Sequence, residues 1–200
     1  MWKLIYAHIL GYPVDFGHDV AVNLINQPKF TDKSTGYIAM GIMLNEKTEY
    51  NVFANCIDAI KSDLTSGNES NEALALSTLG NIGSGELARE LSPAILHKVF
   101  TDDRTTPINV KKKACMCLLS FIRRDKSIYD FQKFLVGFEN LFSSTNYGLL
   151  LSSCSLLHAV IQIFGHQGYE SLISKLVLIM QNINDYAQDY FYYMTPCPWL

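Results

Sequence analysis

The chain has 200 residues, of which 48% are hydrophobic, and its formal net charge is −3. This length and composition allow a sizeable core and exclude a disordered chain, and the balanced charge excludes a nucleic-acid-binding arm, which needs a concentrated basic stripe. Five cysteines, an odd number, predict buried thiols in a reducing compartment rather than a disulfide framework.

Apolar residues recur at helical spacing along most of the chain and predict ten helices joined by short loops. The predicted helices span 2–10, 16–26, 31–44, 49–64, 69–82, 87–100, 107–124, 128–142, 148–164 and 169–183. Asp15 and Thr31 are the predicted N-caps of the second and third helices, because their side-chain oxygens can accept hydrogen bonds from the first turn. Pro93 follows Ser92 and predicts that the sixth helix starts again there.

A similar apolar helical segment returns several times along the chain. Its copies are recognised at Gly36, Ala73, Lys113 and Gly148, at intervals of 37, 40 and 35 residues. A period near 40 residues with helical patterning is typical of stacked helical pairs, because one pair cannot bury its apolar face alone. The predicted fold is therefore all-α, an α-solenoid of about five HEAT/armadillo-like hairpins that form a right-handed superhelix.

The last part of the chain differs in composition from the helices before it. The segment 184–198 is rich in tyrosine and contains Pro196 and Pro198, which exclude a helix through that region and predict an irregular excursion. Trp199 looks like the start of a further helix. Both ends are therefore expected to be truncated, so that a piece of a longer stack exposes apolar end faces and self-associates.

No arrangement of residues predicts catalysis, a cofactor or a metal ion. A G-x-S-x-G nucleophile motif is absent from the sequence. Cys115 and Cys117 point about 200° apart around a helix, so they cannot share a metal ion. Cys154 and His158 share a face, but two ligands do not make a closed site. A non-enzymatic protein is predicted.

Basic residues cluster at both ends of the predicted helix 107–124. The favoured interpretation is a solvated helix face, with cations at the helix C-terminus suiting its dipole. The alternative is a surface for an acidic partner or a lipid headgroup. The residues concerned are Lys111, Lys112, Lys113, Arg123 and Arg124.

Several short motifs, in this order, resemble the N-terminal trunk of the large subunits, or adaptins, of clathrin adaptor complexes. The resemblance covers residues 1–200. The motifs are Lys3-Leu4, His8-Ile9-Leu10-Gly11-Tyr12-Pro13, Asp15-Phe16-Gly17-His18, Ala21-Val22-Asn23-Leu24, Phe30-Thr31-Asp32-Lys33, Gly36-Tyr37, Ile60-Lys61, Asp63-Leu64, Leu74-Ala75-Leu76, Lys112-Lys113-Ala114 and Pro196-Cys197-Pro198-Trp199-Leu200.

The resemblance implies a scaffold of vesicle coats that assembles with a second large, a medium and a small (sigma) subunit and links cargo and anionic membrane to clathrin. The Asp15 and Pro196 motifs are most similar to the alpha type of the plasma-membrane complex, which implies clathrin-dependent endocytosis and a peripheral location at cytoplasmic coated pits. Lys3 is then the remnant of the alpha type's phosphoinositide-binding cluster. The His8 and Phe30 motifs are more similar to the gamma type, which leaves gamma- or epsilon-type sorting at the trans-Golgi network and endosomes as an alternative.

Two further classes of protein remain as alternatives. A free-standing helical-repeat peptide binder would carry a ladder of exposed Trp and Asn, but Trp2 and Trp199 are the only tryptophans and lie at opposite ends of the chain. An enzyme on a helical scaffold would need a cluster of titratable side chains that the sequence does not reveal.

Overall fold

The computed structural model describes residues 1–14, 16–43, 50–82, 85–101, 106–128 and 131–189. Within these ranges the chain forms ten α-helices, two short 3₁₀ helices and no strand. The α-helices are α1 Trp2–Ile9, α2 His18–Ile25, α3 Phe30–Met43, α4 Tyr50–Leu64, α5 Glu69–Ile82, α6 Gly85–Phe100, α7 Ile108–Arg124, α8 Phe131–Leu141, α9 Tyr147–Phe164 and α10 Ile173–Asp189. The 3₁₀ helices are Lys126–Ile128 and Glu170–Leu172.

The helices pack in two layers. In the first layer, α1, α3, α5, α7 and α9 lie side by side in that order, and in the second layer α2, α4, α6 and α8 do the same. Across the layers α2 packs on α3, α4 on α5, α6 on α7 and α8 on α9. The helices from α2 to α9 therefore each pack against a neighbour in their own layer and against one helix of the other layer. A continuous core runs between the layers, which confirms the predicted all-α stack of helical pairs.

The repeat is more regular than the sequence indicates. Four first-layer helices begin at Phe30, Glu69, Ile108 and Tyr147, so their starts follow in steps of 39 residues (30, 69, 108, 147). The predicted intervals of 37, 40 and 35 are therefore wrong by one to four residues. Residues of similar size occur at several places in each copy, whereas the buried face decides the register.

The correct register aligns one column of small buried residues. Gly36, Ala75, Ala114 and Ser153 occupy the same position in successive first-layer helices, and all four are buried. A Cβ atom added to Gly36 would lie 2.7 Å from the backbone nitrogen of Ile25 in α2. The column therefore lets the two layers approach closely.

Three predicted helix starts are wrong. The second helix begins at His18 rather than at residue 16, because Gly17 adopts a left-handed conformation (φ 93°), and Asp15 lies outside the described residues. Thr31 is inside α3 rather than its cap, since the amides of Asp32 and Lys33 already bond the Lys29 carbonyl oxygen.

The predicted restart of the sixth helix at Pro93 is also wrong, because α6 is continuous and contains Pro93 in its interior. Proline has no N–H group to bond the carbonyl oxygen four residues earlier, which is that of Arg89. The Ser92 hydroxyl donates to this oxygen at 3.2 Å instead. The acceptor therefore keeps a partner, and the helix passes through the proline without breaking.

The last described helix is longer than predicted. α10 reaches Asp189, so the predicted irregular segment 184–198 is helical over 184–189. None of these six residues is proline or glycine, and the helical pattern can therefore continue past Ile183. The rest of that segment and Trp199 lie outside the described residues.

Candidate functional site

The three lysines at the start of α7 point in three directions. The Lys111 ammonium donates to the Thr101 carbonyl oxygen at 3.2 Å, and that of Lys113 donates to the Ser77 hydroxyl of α5 at 2.6 Å. Lys112 lies along the start of α9, where its Nζ would be 3.4 Å from a Cβ added to Gly148. Successive side chains on a helix diverge by about 100°. The sequence cluster is therefore not one surface patch.

The two arginines at the end of α7 form a separate group. Arg123 and Arg124 are exposed and lie about 18 Å along the helix axis from Lys111, at about 1.5 Å per residue. Neither makes an ion pair with any residue of the described ranges. The five basic residues predicted as a possible surface for an acidic partner thus belong to two ends of one helix.

A carboxylate accompanies the arginine group. Asp125 accepts hydrogen bonds from the Ser127 hydroxyl at 2.6 Å, from the Ser127 backbone amide at 2.9 Å and from Arg89 Nε at 2.9 Å. These contacts, those of Ser127 first, lower the pKa of Asp125 to about 2. The carboxylate is therefore charged at neutral pH and offsets part of the positive charge at this end of α7.

Lys3 lies on the exposed side of α1. Within the described part of the chain its ammonium group makes no ion pair, and the neighbouring Trp2 and Tyr6 side chains are 59% and 66% exposed. An amphipathic surface of this kind combines one cation with two aromatic rings. No other basic side chain of α1 reinforces it, apart from His8 in the last turn.

A buried polar network links α3 to α4, and the sequence analysis missed it. The Lys33 ammonium lies 2.7 Å from both carboxylate oxygens of Asp63, and the Tyr37 hydroxyl donates to the same carboxylate at 2.7 Å. The Lys33 and Asp63 side chains are each 9% exposed. Burial and the bond to Asp63 raise the pKa of Tyr37 far above its ordinary value. The hydroxyl therefore remains a donor at every physiological pH.

The next hairpin carries the same kind of ion pair with the charges exchanged. Lys98 of α6 lies 2.8 Å from Glu72 of α5, with side chains 16% and 6% exposed. Glu72 and Lys33 are each the fourth residue of a first-layer helix. The first layer thus supplies the cation in one hairpin and the anion in the next, and each pair ties the start of a first-layer helix to the end of the following second-layer helix.

One signal could have revealed these pairs. Lys33 and Tyr37, four residues apart, lie on one face of a helix otherwise occupied by buried apolar residues. A lysine on such a face needs a buried carboxylate partner. The sequence does not say which carboxylate, because the partner lies 30 residues away in another helix.

The described cysteines lack the features of reactive thiols. Burial raises the pKa of Cys115 and of Cys117 to about 12, and burial followed by the charge of Asp19 does the same for Cys56. At neutral pH these groups are thiols, which are weak nucleophiles and poor metal ligands. Within the described residues no group of three or more His, Cys, Asp or Glu side chains could hold a metal ion.

Among the described residues, α9 is the one helix long and apolar enough to cross a membrane by length and composition. It packs against α7 and α8 in the stack, and Leu149, Leu156 and Leu157 are buried there. Its serines at positions 152 and 153 donate to the Leu149 carbonyl oxygen at 2.9 and 2.8 Å. These are the contacts of an interior helix of the stack.

Comparison with known proteins matches the whole chain to one family. The family model described as the adaptin N-terminal region matches residues 1–199. AP-2 complex subunit alpha-1 and AP-2 complex subunit alpha-2 of Arabidopsis thaliana are each 36% identical over 203 residues, which cover 100% of this chain and 20% of the relative. AP-2 complex subunit alpha-2 of Dictyostelium discoideum is 33% identical over 99% of this chain and 20% of its own length. The chain spans about a fifth of the length of the curated relatives that it matches.

Proposed function

The chain belongs to the family of the adaptin N-terminal region, and on this basis we propose that it is part of the alpha-type large subunit of a clathrin-associated adaptor complex. Its role there is that of a non-enzymatic scaffold in vesicle-mediated protein transport, namely clathrin-dependent endocytosis. The observation that carries the proposal is the similarity to AP-2 alpha subunits of two organisms along the whole chain.

The described architecture suits a scaffold. Two layers of helices give an extended body in which each repeat contacts only its neighbours, so separate stretches of surface can hold separate partners. The buried ion pairs Lys33–Asp63 and Glu72–Lys98 join the two helices of successive hairpins. Removal of one partner of a buried pair is strongly destabilising, so these pairs oppose local opening of the hairpins.

The partners proposed for the chain are the second large subunit, the medium subunit and the small (sigma) subunit of the adaptor complex, and through the complex the clathrin coat. The proposed location is the cytoplasmic face of the plasma membrane, at coated pits, where the complex is peripheral. No bound partner is part of the structure, and these assignments rest on the family and its alpha-type relatives.

Direct contact with phosphoinositide headgroups is proposed as a weak contribution of this chain. Lys3 is a single exposed cation, and the basic residues of α7 are divided between its two ends. A dispersed set of surface charges binds an anionic membrane weakly and with strong salt dependence. Co-sedimentation with phosphoinositide vesicles should therefore fall sharply between low and physiological salt, and tight binding at physiological salt would refute this point.

Co-expression with small subunits tests the proposed function. The chain is produced with an affinity tag together with the untagged small subunit of the plasma-membrane complex or, separately, of the Golgi and endosomal complex. Selective capture of the plasma-membrane type is expected. Selective capture of the Golgi type would move the chain to trans-Golgi and endosomal sorting, and capture of neither would refute the assignment to an adaptor complex.

A further inference from the structure

Two clefts lie next to each other on the edge of the stack formed by the start of α7 and the start of α9. The first, of about 390 Å³, is bounded by the end of α6, the start of α7 and the end of α8. The second, of about 560 Å³, is bounded by the end of α8, the start of α9 and α10. Ser143 and Ser144 line both clefts, so the loop after α8 is a wall that the two clefts share.

The clefts occupy equivalent places in consecutive repeats. Thr106 and Ile108 line the first cleft, and Thr145 and Tyr147, each 39 positions later, line the second. Neighbouring packed helices lie about 8–10 Å apart. An extended or polyproline-type chain advances about 3.1–3.3 Å per residue, so about three residues of a bound chain would span the distance from one cleft to the next.

The charges around the clefts are positive and lack carboxylate partners. Lys111 in the first cleft and Lys175 in the second donate only to main-chain oxygens, those of Thr101 at 3.2 Å and Glu139 at 3.4 Å. Lys112 lines neither cleft, and its side chain lies along Gly148 at the start of α9. None of the described lining residues is acidic. Among the other described cations, Lys33, Lys61, Arg89 and Lys98 each contact a carboxylate, whereas Lys3, Lys113, Arg123 and Arg124 contact none within the described ranges.

Apolar surface accompanies this charge. Ile108, Tyr147 and Leu178 are 45%, 44% and 58% exposed at the cleft rims, and buried Leu149 and Leu150 form part of the walls. A partner that fits both features carries acidic groups for the lysines and apolar side chains for the two clefts. Tyr147 is the one exposed aromatic side chain among the described lining residues, which does not suit a row of stacked nucleobases.

We propose that the two clefts form one groove that binds an extended acidic peptide segment of a partner protein, with one apolar side chain in each cleft and about three residues between them. In a polyproline-type helix, side chains three residues apart point to the same side, so both can enter the clefts together. The acidic side chains of the segment then pair with Lys111, Lys112 and Lys175. The proposal is independent of the endocytic assignment, because the chain alone forms the groove.

Fluorescence anisotropy with two labelled peptides of equal composition tests the spacing. The probe is Glu-Glu-Leu-Pro-Glu-Leu-Glu-Glu, with its leucines three residues apart, and the control is Glu-Glu-Leu-Leu-Pro-Glu-Glu-Glu. The probe should bind about tenfold more tightly than the control, because only the probe can place a leucine in each cleft. Equal affinity for the two peptides, or absence of probe binding at millimolar concentration, would overturn the proposal. This comparison uses the unmodified chain and does not depend on the folding of a variant.

Charge-neutral variants test the position of the groove. Lys111→Gln combined with Lys175→Gln should weaken probe binding about tenfold, whereas Lys113→Gln combined with Lys126→Gln removes the same charge outside the clefts and should change it less than about twofold. Equal weakening by both pairs would mean general electrostatic attraction and would overturn the proposal. The proposal would also be overturned if phosphatidylserine vesicles bind the chain through Lys111 and Lys175 and the probe peptide does not bind.

Discussion

Removal of buried Lys33 should destabilise the chain far more than removal of Lys61, which lies on the surface of α4. Lys33→Met is the sharpest test of the buried network. The substitution keeps an unbranched side chain of similar length while deleting its charge. It leaves the Asp63 carboxylate, whose side chain is 9% exposed, with the Tyr37 hydroxyl as its remaining side-chain partner.

The expected magnitude follows from burial. Loss of one partner from a buried ion pair costs about 3–5 kcal/mol, because the remaining charge is neither solvated nor neutralised. Tyr37→Phe removes one hydrogen bond to a charged group and should cost about 1.5–3 kcal/mol. Lys33→Met combined with Asp63→Leu and Tyr37→Phe removes all the polar groups together and should recover most of the stability lost by Lys33→Met alone.

Urea unfolding followed by circular dichroism measures these differences. With a slope of about 1–3 kcal/mol per molar urea, a loss of about 3–5 kcal/mol moves the midpoint by roughly 1–5 M. The matched control is Lys61→Ala in α4. Lys61 pairs with Glu90 on the surface, where the two side chains are 43% and 48% exposed, and its removal should cost less than about 1 kcal/mol. If Lys33→Met lowers the free energy of unfolding no more than Lys61→Ala does, burial does not give this pair its importance and the reasoning is wrong.

Three further predictions concern packing, alkaline stability and association. Gly36→Ala should destabilise the chain by several kcal/mol, because the added Cβ would lie 2.7 Å from a backbone nitrogen of α2. Gly41→Ala in the same helix should instead stabilise the chain by up to about 1 kcal/mol, because its Cβ would lie 3.7 Å from its nearest neighbour. Urea midpoints of the two variants measure both effects. Burial raises the pKa of Cys117 to about 12, against about 8.5 in an unfolded chain, so the unfolded state loses this proton first as pH rises. The free energy of unfolding should therefore fall between about pH 9 and pH 12. Cys117→Ala should make this fall less steep. The exposed apolar surface of α1 should promote self-association in sedimentation velocity, and Tyr6→Glu with Ile9→Lys should shift the chain towards monomer; a monomer at high concentration before substitution would contradict this.

Much of the fold could be predicted because helix formation is encoded locally. Apolar residues at helical spacing place nine of the ten described helix starts within three residues of where the structure has them, and the helical period near 40 residues indicates stacked pairs. The resemblance to adaptins likewise depends on short motifs that can be read without knowing their contacts. The sequence predicts that a helical segment recurs from Gly36 onward, but not the column of small residues at Gly36, Ala75, Ala114 and Ser153, because the predicted copies are out of register.

The polar sites depend on contacts that no local pattern contains. Lys33 and Lys111 occupy the same position in repeats two apart, yet one is buried against Asp63 and the other borders an open cleft. Helical spacing shows that Lys111, Lys112 and Lys113 diverge, but the groups that each of them contacts follow from the helices packed around α7.

The sequence alone determined that this chain is a stack of amphipathic helices, because hydrophobic periodicity reports which face of each helix is buried. Only the tertiary structure decided the 39-residue register, the exchange of charges between the pairs Lys33–Asp63 and Glu72–Lys98, and the grouping of basic residues. The physical reason is that a charged side chain gains its role from the dielectric around it and from partners 26 or 30 residues away, and both exist only after the layers have packed.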